Sequence, residues 1–401
     1  MIRFAGIDIG SERHVVAVVN EQGEVLCRSS TFGEDTEGYV RLFELLGPPQ
    51  ECLVAVEATG HYWRNLFAAL IAKDYAVALL NPLRTRRFAE EDLQRTKTDA
   101  IDALGIARFA AQKRPRPAQL PDSATEELRE LARLRERVQA DFASRLRQLH
   151  RAVDLGFPEF TRFVRTLESQ LATTILSRYP TATSFRGVSV KKLARIVYDG
   201  SHKIGEELAG ALIDAAEKSV GSHHSEPYRL RIKYLCEDLE VLRRRLKDLA
   251  RDIEHKLDDH EVGKLLTTIE GVGPLTAACL IAELGDPARF RSASAIASYV
   301  GVAPRLRQYG KKKGFSGSPT IPLGNARLRK ALWMVVLNAV RCNPWLRQHY
   351  LRLRAAGKPG KVAVIAAMRK SLVAVWTVAT HRRPFVPQLP VTPVPPVMDK
   401  A

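Results

Sequence analysis

Cysteine is scarce in this sequence, and the cysteines present form no recognisable pairing motif. The 401 residues include five cysteines, scattered singly and never arranged as Cys-x-x-Cys. Zinc sites and disulfide frameworks depend on regularly spaced cysteines, so both kinds of site are disfavoured. Unpaired cysteines are instead typical of a protein in the reducing cytoplasm.

Long apolar runs and a leader pattern are also missing. No apolar run reaches the roughly 18 residues that a membrane-spanning helix requires. The chain passes directly from Met1 into a strand-like pattern and lacks the charged-then-apolar layout of a signal peptide. We therefore expect a cytoplasmic protein.

Positive charge is what the sequence has in excess. The chain carries 62 Lys and Arg residues against 44 Asp and Glu residues, a formal net charge of +18. An apolar share of 45% is enough for well-formed cores, so a disordered protein is excluded. The excess charge points to a polyanionic partner, and nucleic acid is favoured over a membrane surface.

The order of strand-like and helical segments predicts an α/β domain with a mixed sheet, followed by helical regions. The predicted strands cover 3–9, 14–20, 25–32, 52–57 and 76–80, and the predicted helices cover 36–46, 62–72 and 97–113. Two long basic amphipathic helices, over 123–153 and 228–258, have the spacing to pair as an antiparallel coiled coil. We divide the chain into an α/β domain (1–115), a helical region (123–262), a third region of helices and loops (263–383) and a proline-rich tail (384–401). The tail is expected to be extended or disordered.

Four carboxylates occur in contexts that favour a shared site. Asp8 and Glu57 lie inside apolar, strand-like runs, where an uncompensated charge is costly. Asp99 and Asp102 are three residues apart, so they lie on one side of a helix. Together they match the layout of an RNase H-like nuclease site that holds Mg²⁺ or Mn²⁺. Taken singly, Asp8 could cap a turn and the helical pair could be solvated surface.

Two further segments are typical of phosphate contacts. Gly271 and Gly273 precede a predicted helix, as in a helix-hairpin-helix element, where backbone N–H groups meet a phosphate; an ordinary glycine-capped turn is the alternative. The segment 303–319 combines cations with glycines, prolines and aromatics, as a flexible phosphate-binding loop would; a solvated charged loop is the alternative. Its cations and those of the helix that follows are Arg305, Arg307, Lys311, Lys312, Lys313, Arg327, Arg329 and Lys330.

The chain resembles the DEDD-type insertion-sequence transposases, in the group related to pilin-gene invertases and in the branch guided by a structured bridge RNA. The likeness covers nearly the whole chain except the tail. It rests on Gly6-Ile7-Asp8, Glu57-Ala58-Thr59-Gly60, Asn81-Pro82, Lys97-Thr98-Asp99-x-x-Asp102-Ala103, Gly271-Val272-Gly273-Pro274, Gly301-Val302-Ala303-Pro304-Arg305, the run from Gly324 to Leu332, and the run from Gly357 to Val362.

The resemblance implies a RuvC-like RNase H-fold domain with the acidic tetrad, a coiled-coil dimerisation segment and a C-terminal transposase domain. It also implies Mg²⁺, donor and target DNA, a guide RNA, a dimer or tetramer, and a place at the bacterial nucleoid. Strand exchange in the family proceeds through a covalent protein–DNA intermediate on a serine. Here Tyr309 stands at the expected serine position. Three interpretations stay open: Tyr309 is the nucleophile, Ser316 or Ser318 supplies the hydroxyl, or the protein binds DNA without completing recombination.

Three other functions compete with a transposase. A junction-resolving nuclease would use the acidic site alone and cleave by water attack. A catalytically inactive relative would bind nucleic acid only. The segment from Gly6 to Ser11 also resembles the first phosphate loop of actin-like sugar kinases, but the sequence offers no second glycine-rich phosphate loop at a suitable distance.

Overall fold

The computed structural model describes residues 2–58, 60–91, 98–118, 122–303 and 324–387. The chain forms two compact units, residues 1–120 and residues 121–401.

The first unit is built on a five-stranded mixed sheet in the order β3-β2-β1-β4-β5. Strands β1, β2 and β3 are antiparallel neighbours, whereas β4 and β5 run parallel to β1. The mixed sheet predicted from the sequence is confirmed. The strands are β1 Arg3–Ile9, β2 Arg13–Val19, β3 Val25–Gly33, β4 Cys52–Glu57 and β5 Ala76–Leu80.

Helices cover both faces of this sheet, which explains why β1 and β4 are apolar on both sides. The helices are α1 Thr36–Leu46, α2 Trp63–Ala72, α3 Pro82–Glu91 and α4 Asp99–Lys113. One face of β1, with Ala5 and Ile7, packs against α1 and α2. The opposite face, with Phe4, packs against α4 and against Phe88 of α3.

Helix α4 lies in backbone contact with β1 at Gly6. A Cβ atom at Gly6 would collide with backbone atoms of Ala103 and Ala107 in α4. Glycine is therefore required here for close approach of the two backbones. This contact holds the first turns of α4 over the carboxyl end of β1.

The second unit is mainly helical in the part that the structure describes. Its helices are α5 Ser123–Gly156, α6 Phe160–Phe163, α7 Gln170–Arg178, α8 Val190–Ala194, α9 Glu206–Glu217, α10 Glu226–Asp258, α11 Glu261–Thr267, α12 Pro274–Leu284, α13 Ala293–Val300, α14 Ala326–Cys342, α15 Pro344–Ala355 and α16 Gly360–His381. Their buried side chains form two apolar clusters. One cluster lies within 138–249 and the other joins Leu128 to residues 253–379.

The two longest helices, α5 and α10, pack antiparallel to each other. Lys256 Nζ lies 2.6 Å from a carboxylate oxygen of Glu127, and Arg145 Nε lies 2.9 Å from one of Asp238. Further along, the Tyr228 hydroxyl donates to the Ala152 carbonyl at 3.0 Å. In these three contacts the residue numbers on α5 increase while those on α10 decrease, so the two helices run in opposite directions. The antiparallel pairing predicted from the sequence is therefore present within one chain.

Helix α16 corrects the expectation that no segment is apolar enough to span a membrane. Its 22 residues are long and apolar enough to cross a membrane, by length and composition alone. However, 56% of its most apolar 18-residue stretch is buried inside the protein, among α11, α13, α14 and α15. Burial on this scale is typical of a core helix.

Candidate metal centre

Asp8 and Glu57 are placed at one edge of the sheet by the pairing of β1 with β4. The two strands are parallel, and the last pair in the register is Ile7 with Val56. Asp8 and Glu57 are the next residues along each strand. Because alternate residues of a strand share a face, both side chains point to the α4 side, as do Phe4 and Leu53.

Asp99 and Asp102 are brought to the same face by the start of α4. Thr98 caps this helix, and its hydroxyl oxygen accepts a hydrogen bond from the Ile101 N–H at 3.3 Å. The buried side of α4 includes Ala103 and Ile106, which lie one turn beyond Asp99 and Asp102. Both carboxylates therefore project from the sheet-facing side, in a first turn where the helix dipole favours negative charge.

The electrostatics of Asp8 show that the other three carboxylates lie near enough to act on it. Burial raises the pKa of Asp8 to about 6, and the charges of Asp102, Asp99 and Glu57 contribute to the rise. Carboxylate oxygens are the donors that Mg²⁺ and Mn²⁺ prefer, and a bound cation would relieve this repulsion. The donor chemistry thus fits a divalent ion.

The described side chains are not arranged as a complete ligand shell. Within the described ranges, no three His, Cys, Asp or Glu side chains stand close enough to hold one metal ion together. The four predicted carboxylates therefore lie on one face of the sheet, and three of them help to raise the pKa of the fourth, Asp8. Its role as a set of metal ligands remains a prediction.

Thr85 is a member of this region that the sequence did not reveal. It is nearly buried in α3, and its hydroxyl donates to Glu57 Oε2 at 2.8 Å; the Pro82 carbonyl, at 3.0 Å, is the alternative acceptor. Helix α3 was not predicted, although Asn81-Pro82 signals it. The Asn81 side chain accepts from the Leu83 N–H at 2.9 Å, and Pro82 opens the helix.

The predicted nucleophiles lie outside the described residues. Tyr309, Ser316 and Ser318 fall in 304–323, as do the predicted phosphate contacts Arg305, Arg307, Lys311, Lys312 and Lys313. The flanking residues are described and lie close together. The Asn325 N–H donates to the Tyr299 carbonyl at 3.0 Å, next to Gly301, which ends α13.

The predicted basic contacts on α14 differ in their surroundings. Arg327 Nε lies 2.5 Å from Glu136, and its Nη1 lies 3.9 Å from the buried Glu283. Arg329 donates to the Val300 carbonyl at 2.8 Å, whereas Lys330 is exposed. Arg327 and Arg329 thus have a structural role within the unit, and a role in binding nucleic acid remains a prediction for all three.

The predicted helix-hairpin-helix segment consists of α11, a turn and α12. Gly271 has a φ of +94°, and a Cβ there would lie 3.0 Å from the Ala339 Cβ on α14. Gly271 is therefore explained by conformation and packing. Gly273 caps α12, and a Cβ there would meet nothing within 4 Å. Space for a phosphate thus exists at Gly273 rather than at Gly271.

Comparison with known proteins gives matches along most of the chain. Residues 5–158 match a family model described as a transposase, of the DEDD type named for IS110, and residues 263–351 match one described as the transposase IS116/IS110/IS902 family. An uncharacterized 44.8 kDa protein of insertion element IS116 from Streptomyces clavuligerus is 26% identical over 97% of both chains. The pilin gene-inverting protein of Moraxella bovis is 27% identical over 82% of this chain and 80% of its own. The transposase for insertion sequence element IS1328 from Yersinia enterocolitica is 26% identical over 82% of each chain.

Proposed function

The chain belongs to the IS116/IS110/IS902 family of transposases, and from this premise we propose that it is a DNA transposase or site-specific recombinase that cleaves and exchanges strands at its acidic centre. The observation that carries the proposal is the placement of Asp8, Glu57, Asp99 and Asp102 on one face of the sheet, where burial and the charges of the other three carboxylates raise the pKa of Asp8 to about 6. Structural carboxylates are seldom crowded in this way without a cation or a catalytic role.

The first unit is proposed to be an RNase H-like, RuvC-like nuclease domain. The support is its strand order, in which three antiparallel strands are extended by two parallel ones, with the acidic residues at the carboxyl ends of β1 and β4. In this proposal α4 completes the site, as its first turn carries two of the four carboxylates.

Asp8, Glu57, Asp99 and Asp102 would hold Mg²⁺ or Mn²⁺. When bound, the cation stabilises negative charge on a phosphate undergoing in-line displacement. The protein's own contribution is positioning. Thr85 holds one oxygen of Glu57 by its hydrogen bond, and the Gly6 contact fixes α4 over β1.

Tyr309 is the proposed nucleophile, with Ser316 and Ser318 as alternatives. Its phenol oxygen would attack the scissile phosphorus, lose its proton and form a phosphotyrosyl bond, while the sugar oxygen leaves as a free hydroxyl. The support is the resemblance, which places Tyr309 at the family's serine position. A tyrosine oxygen lies several ångströms further from the backbone than a serine oxygen, and a displacement of about 1 Å can cost about 10²-fold in rate. The proposal therefore requires a loop suited to the longer side chain.

Assembly and RNA guidance extend the proposal. Strand exchange involves two DNA partners, donor and target, so a dimer or tetramer is proposed, with the α5–α10 pair as the coiled-coil segment through which copies associate. A structured guide RNA is proposed from the family resemblance, and the net charge of +18 accommodates a polyanion of either kind.

A suicide DNA substrate that traps covalent intermediates tests this function. The wild-type protein with Mg²⁺ should yield an adduct, and mass spectrometry of the digested adduct should locate it on Tyr309. Asp8→Asn should bind the substrate equally well and form no adduct, and Tyr309→Phe should also form none. Cleavage without any adduct, unchanged in Tyr309→Phe, would identify a hydrolytic junction nuclease, and binding without cleavage would identify an inactive relative.

A further inference from the structure

A cavity of about 840 Å³ opens in the second unit. It lies between α15, α16 and the segment that follows α16. Trp345 and Phe385 form an aromatic wall, with their rings 4.9 Å apart in an edge-to-face arrangement. The Phe385 N–H donates to the Thr268 hydroxyl at 2.8 Å, which holds this segment against the helical unit. The volume is within the usual range for small-molecule sites.

The charged groups around this cavity are all basic. Lys370 Nζ lies 4.1 Å from the centre of the Trp345 ring. Arg369 and Arg383 also line the cavity, and neither forms an ion pair with any residue that the structure describes. No acidic side chain occurs among the described residues of its lining.

The titration of the neighbouring groups indicates the same positive potential. Burial and the nearby Lys370 and Arg352 lower the pKa of His349 to about 4. Burial and Arg352 also lower the pKa of Lys370. Cations packed together without a carboxylate disfavour further positive charge and favour an anion.

We propose that this cavity binds an unpaired nucleotide of a single-stranded nucleic acid, with its base against Trp345 and Phe385 and its phosphates at Lys370, Arg369 and Arg383. The combination of aromatic and basic side chains is the one that binds single strands without strict sequence preference. The inference rests on the proposed function only in taking nucleic acid as the partner.

The charge of the cavity argues against an occupant from the chain itself. The tail beyond residue 387 is rich in proline and valine, and its single acidic side chain, Asp399, is adjacent to Lys400. Such a segment could fill an apolar space but would leave three lining cations without counter-charge. A nucleotide can pack its base against the aromatic wall and place its negatively charged phosphates next to the cations.

Binding of short single-stranded oligonucleotides to the full chain tests the proposal, with fluorescence anisotropy as the measurement and EDTA present. DNA and RNA of the same sequence are compared, so the two sources of the nucleotide are distinguished. Trp345→Leu should raise the Kd for the better-bound strand about tenfold, as loss of one stacked base would. Lys370→Met should lower the slope of log Kd against log salt concentration by about 0.7, the value for one phosphate contact on a single strand.

Lys218→Met is the matched control, because it removes an exposed lysine from the same unit at the end of α9. It should leave both the Kd and the salt slope unchanged, and circular dichroism should show that all three variants are folded. A photoreactive iodouracil in the oligonucleotide should cross-link to Trp345 or Phe385.

Cross-links elsewhere, with wild-type affinity in both cavity variants, would overturn the proposal and leave the cavity to an apolar segment. Absence of single-strand binding in the wild type would overturn it as well. Neither result bears on the proposal that the acidic centre cleaves DNA. EDTA removes metal-dependent chemistry from the binding measurement, and duplex cleavage is assayed separately.

Discussion

Asp8 is the residue whose ionisation is most disturbed by the acidic centre. Its pKa is raised to about 6 by burial and by Asp102, Asp99 and Glu57. A carboxyl group with a raised pKa in the folded protein stabilises the folded state at low pH. This contribution is lost as the pH rises from the pKa of the group in the unfolded chain to its folded-state pKa of about 6. Metal-free protein therefore retains an electrostatic cost at neutral pH that a bound cation would remove.

Stabilisation by Mg²⁺ should consequently depend on pH. Below about pH 5 the proton on Asp8 competes with the metal, so Mg²⁺ should change the Tm little. Near pH 7, above the raised pKa of Asp8, this carboxylate is ionised, and Mg²⁺ should raise the Tm by several degrees. Thermal unfolding with and without Mg²⁺ across this pH range provides the measurement. Asp8→Asn should raise the metal-free Tm at pH 7 and abolish the Mg²⁺ effect; a Mg²⁺ effect equal at both pH values would contradict the assignment.

Thr85 should act as a positioning residue for Glu57. Thr85→Val removes the hydroxyl that donates to Glu57 Oε2 and keeps the shape of the side chain. The loss of one hydrogen bond should cost only about 1 kcal/mol of unfolding free energy. A Glu57 carboxylate released from its position should, however, slow DNA cleavage by about 10–100-fold.

The discriminating readout for Thr85 is the Mg²⁺ concentration that gives half-maximal cleavage. It should rise in Thr85→Val and return towards the wild-type value in Thr85→Ser, which restores a hydroxyl. A purely structural threonine would reduce the amount of folded protein in both variants and leave the Mg²⁺ dependence of the remainder unchanged.

Helix α4 depends on a single glycine for its place in the site. Gly6→Ala would put a Cβ atom into the backbone of α4 at Ala103 and Ala107. Because the obstacle is backbone, no side-chain rotation relieves it, and we expect a loss of about 3 kcal/mol or more in unfolding free energy. The rate of DNA cleavage should fall by more than the loss of folded protein explains, because Asp99 and Asp102 move with the helix.

Gly105→Ala is the matched control for this substitution. Gly105 lies on α4 itself, and a Cβ there would meet nothing within 4 Å. Alanine is favoured over glycine inside a helix, so this variant should be more stable by about 0.5–1 kcal/mol. Chemical denaturation of both variants measures the difference, and equal effects of the two substitutions would contradict the close contact of α4 with β1.

Sequence patterns predicted the elements whose periodicity is strong. The strand Cys52–Glu57 and the helix Thr36–Leu46 are found with the predicted bounds, and Asp99–Lys113 begins two residues later than predicted. These segments are long or fully apolar, so local preference and tertiary packing agree. The sequence also predicted that Asp8 and Glu57 meet at one end of the sheet, because parallel strands place their carboxyl ends together, whereas their shared face is known only from the register of β1 with β4.

Contacts between distant segments could not be predicted in this way. Helix α3 has a low apolar content, so no periodic pattern marked it, and the hydrogen bond from Thr85 to Glu57 joins residues 28 positions apart. The carboxylates that pair with Arg327 could not be predicted from the sequence either. A basic residue at the start of a helix has the same pattern whether it contacts phosphate or, as here, a carboxylate on another helix.

Within the helical unit, the buried carboxylate of Glu283 in α12 connects α5 to the start of α14. Its side chain is only 6% exposed and receives hydrogen bonds from Arg133 Nε of α5 at 3.0 Å and from Asn325 Nδ2 at 2.9 Å. Burial by itself would raise the pKa of Glu283, but these hydrogen bonds and the charge of Arg133 hold it below its usual value. The interaction therefore contributes stability above the ordinary carboxyl pKa and loses it in acid.

Glu283→Ala should destabilise the whole unit, because it leaves Arg133 and Asn325 partly buried without their acceptor. We expect a loss of about 3 kcal/mol in unfolding free energy, typical of a broken buried ion pair. Glu136→Ala removes the more exposed carboxylate that also pairs with Arg327, and should cost less than about 1 kcal/mol. Asn325 caps α14 immediately after 304–323, so Glu283→Ala should also reduce adduct formation on the suicide substrate under conditions where the variant is still folded. Equal stability losses in the two variants, or full adduct formation by folded Glu283→Ala, would contradict a role for this carboxylate in supporting the proposed nucleophile.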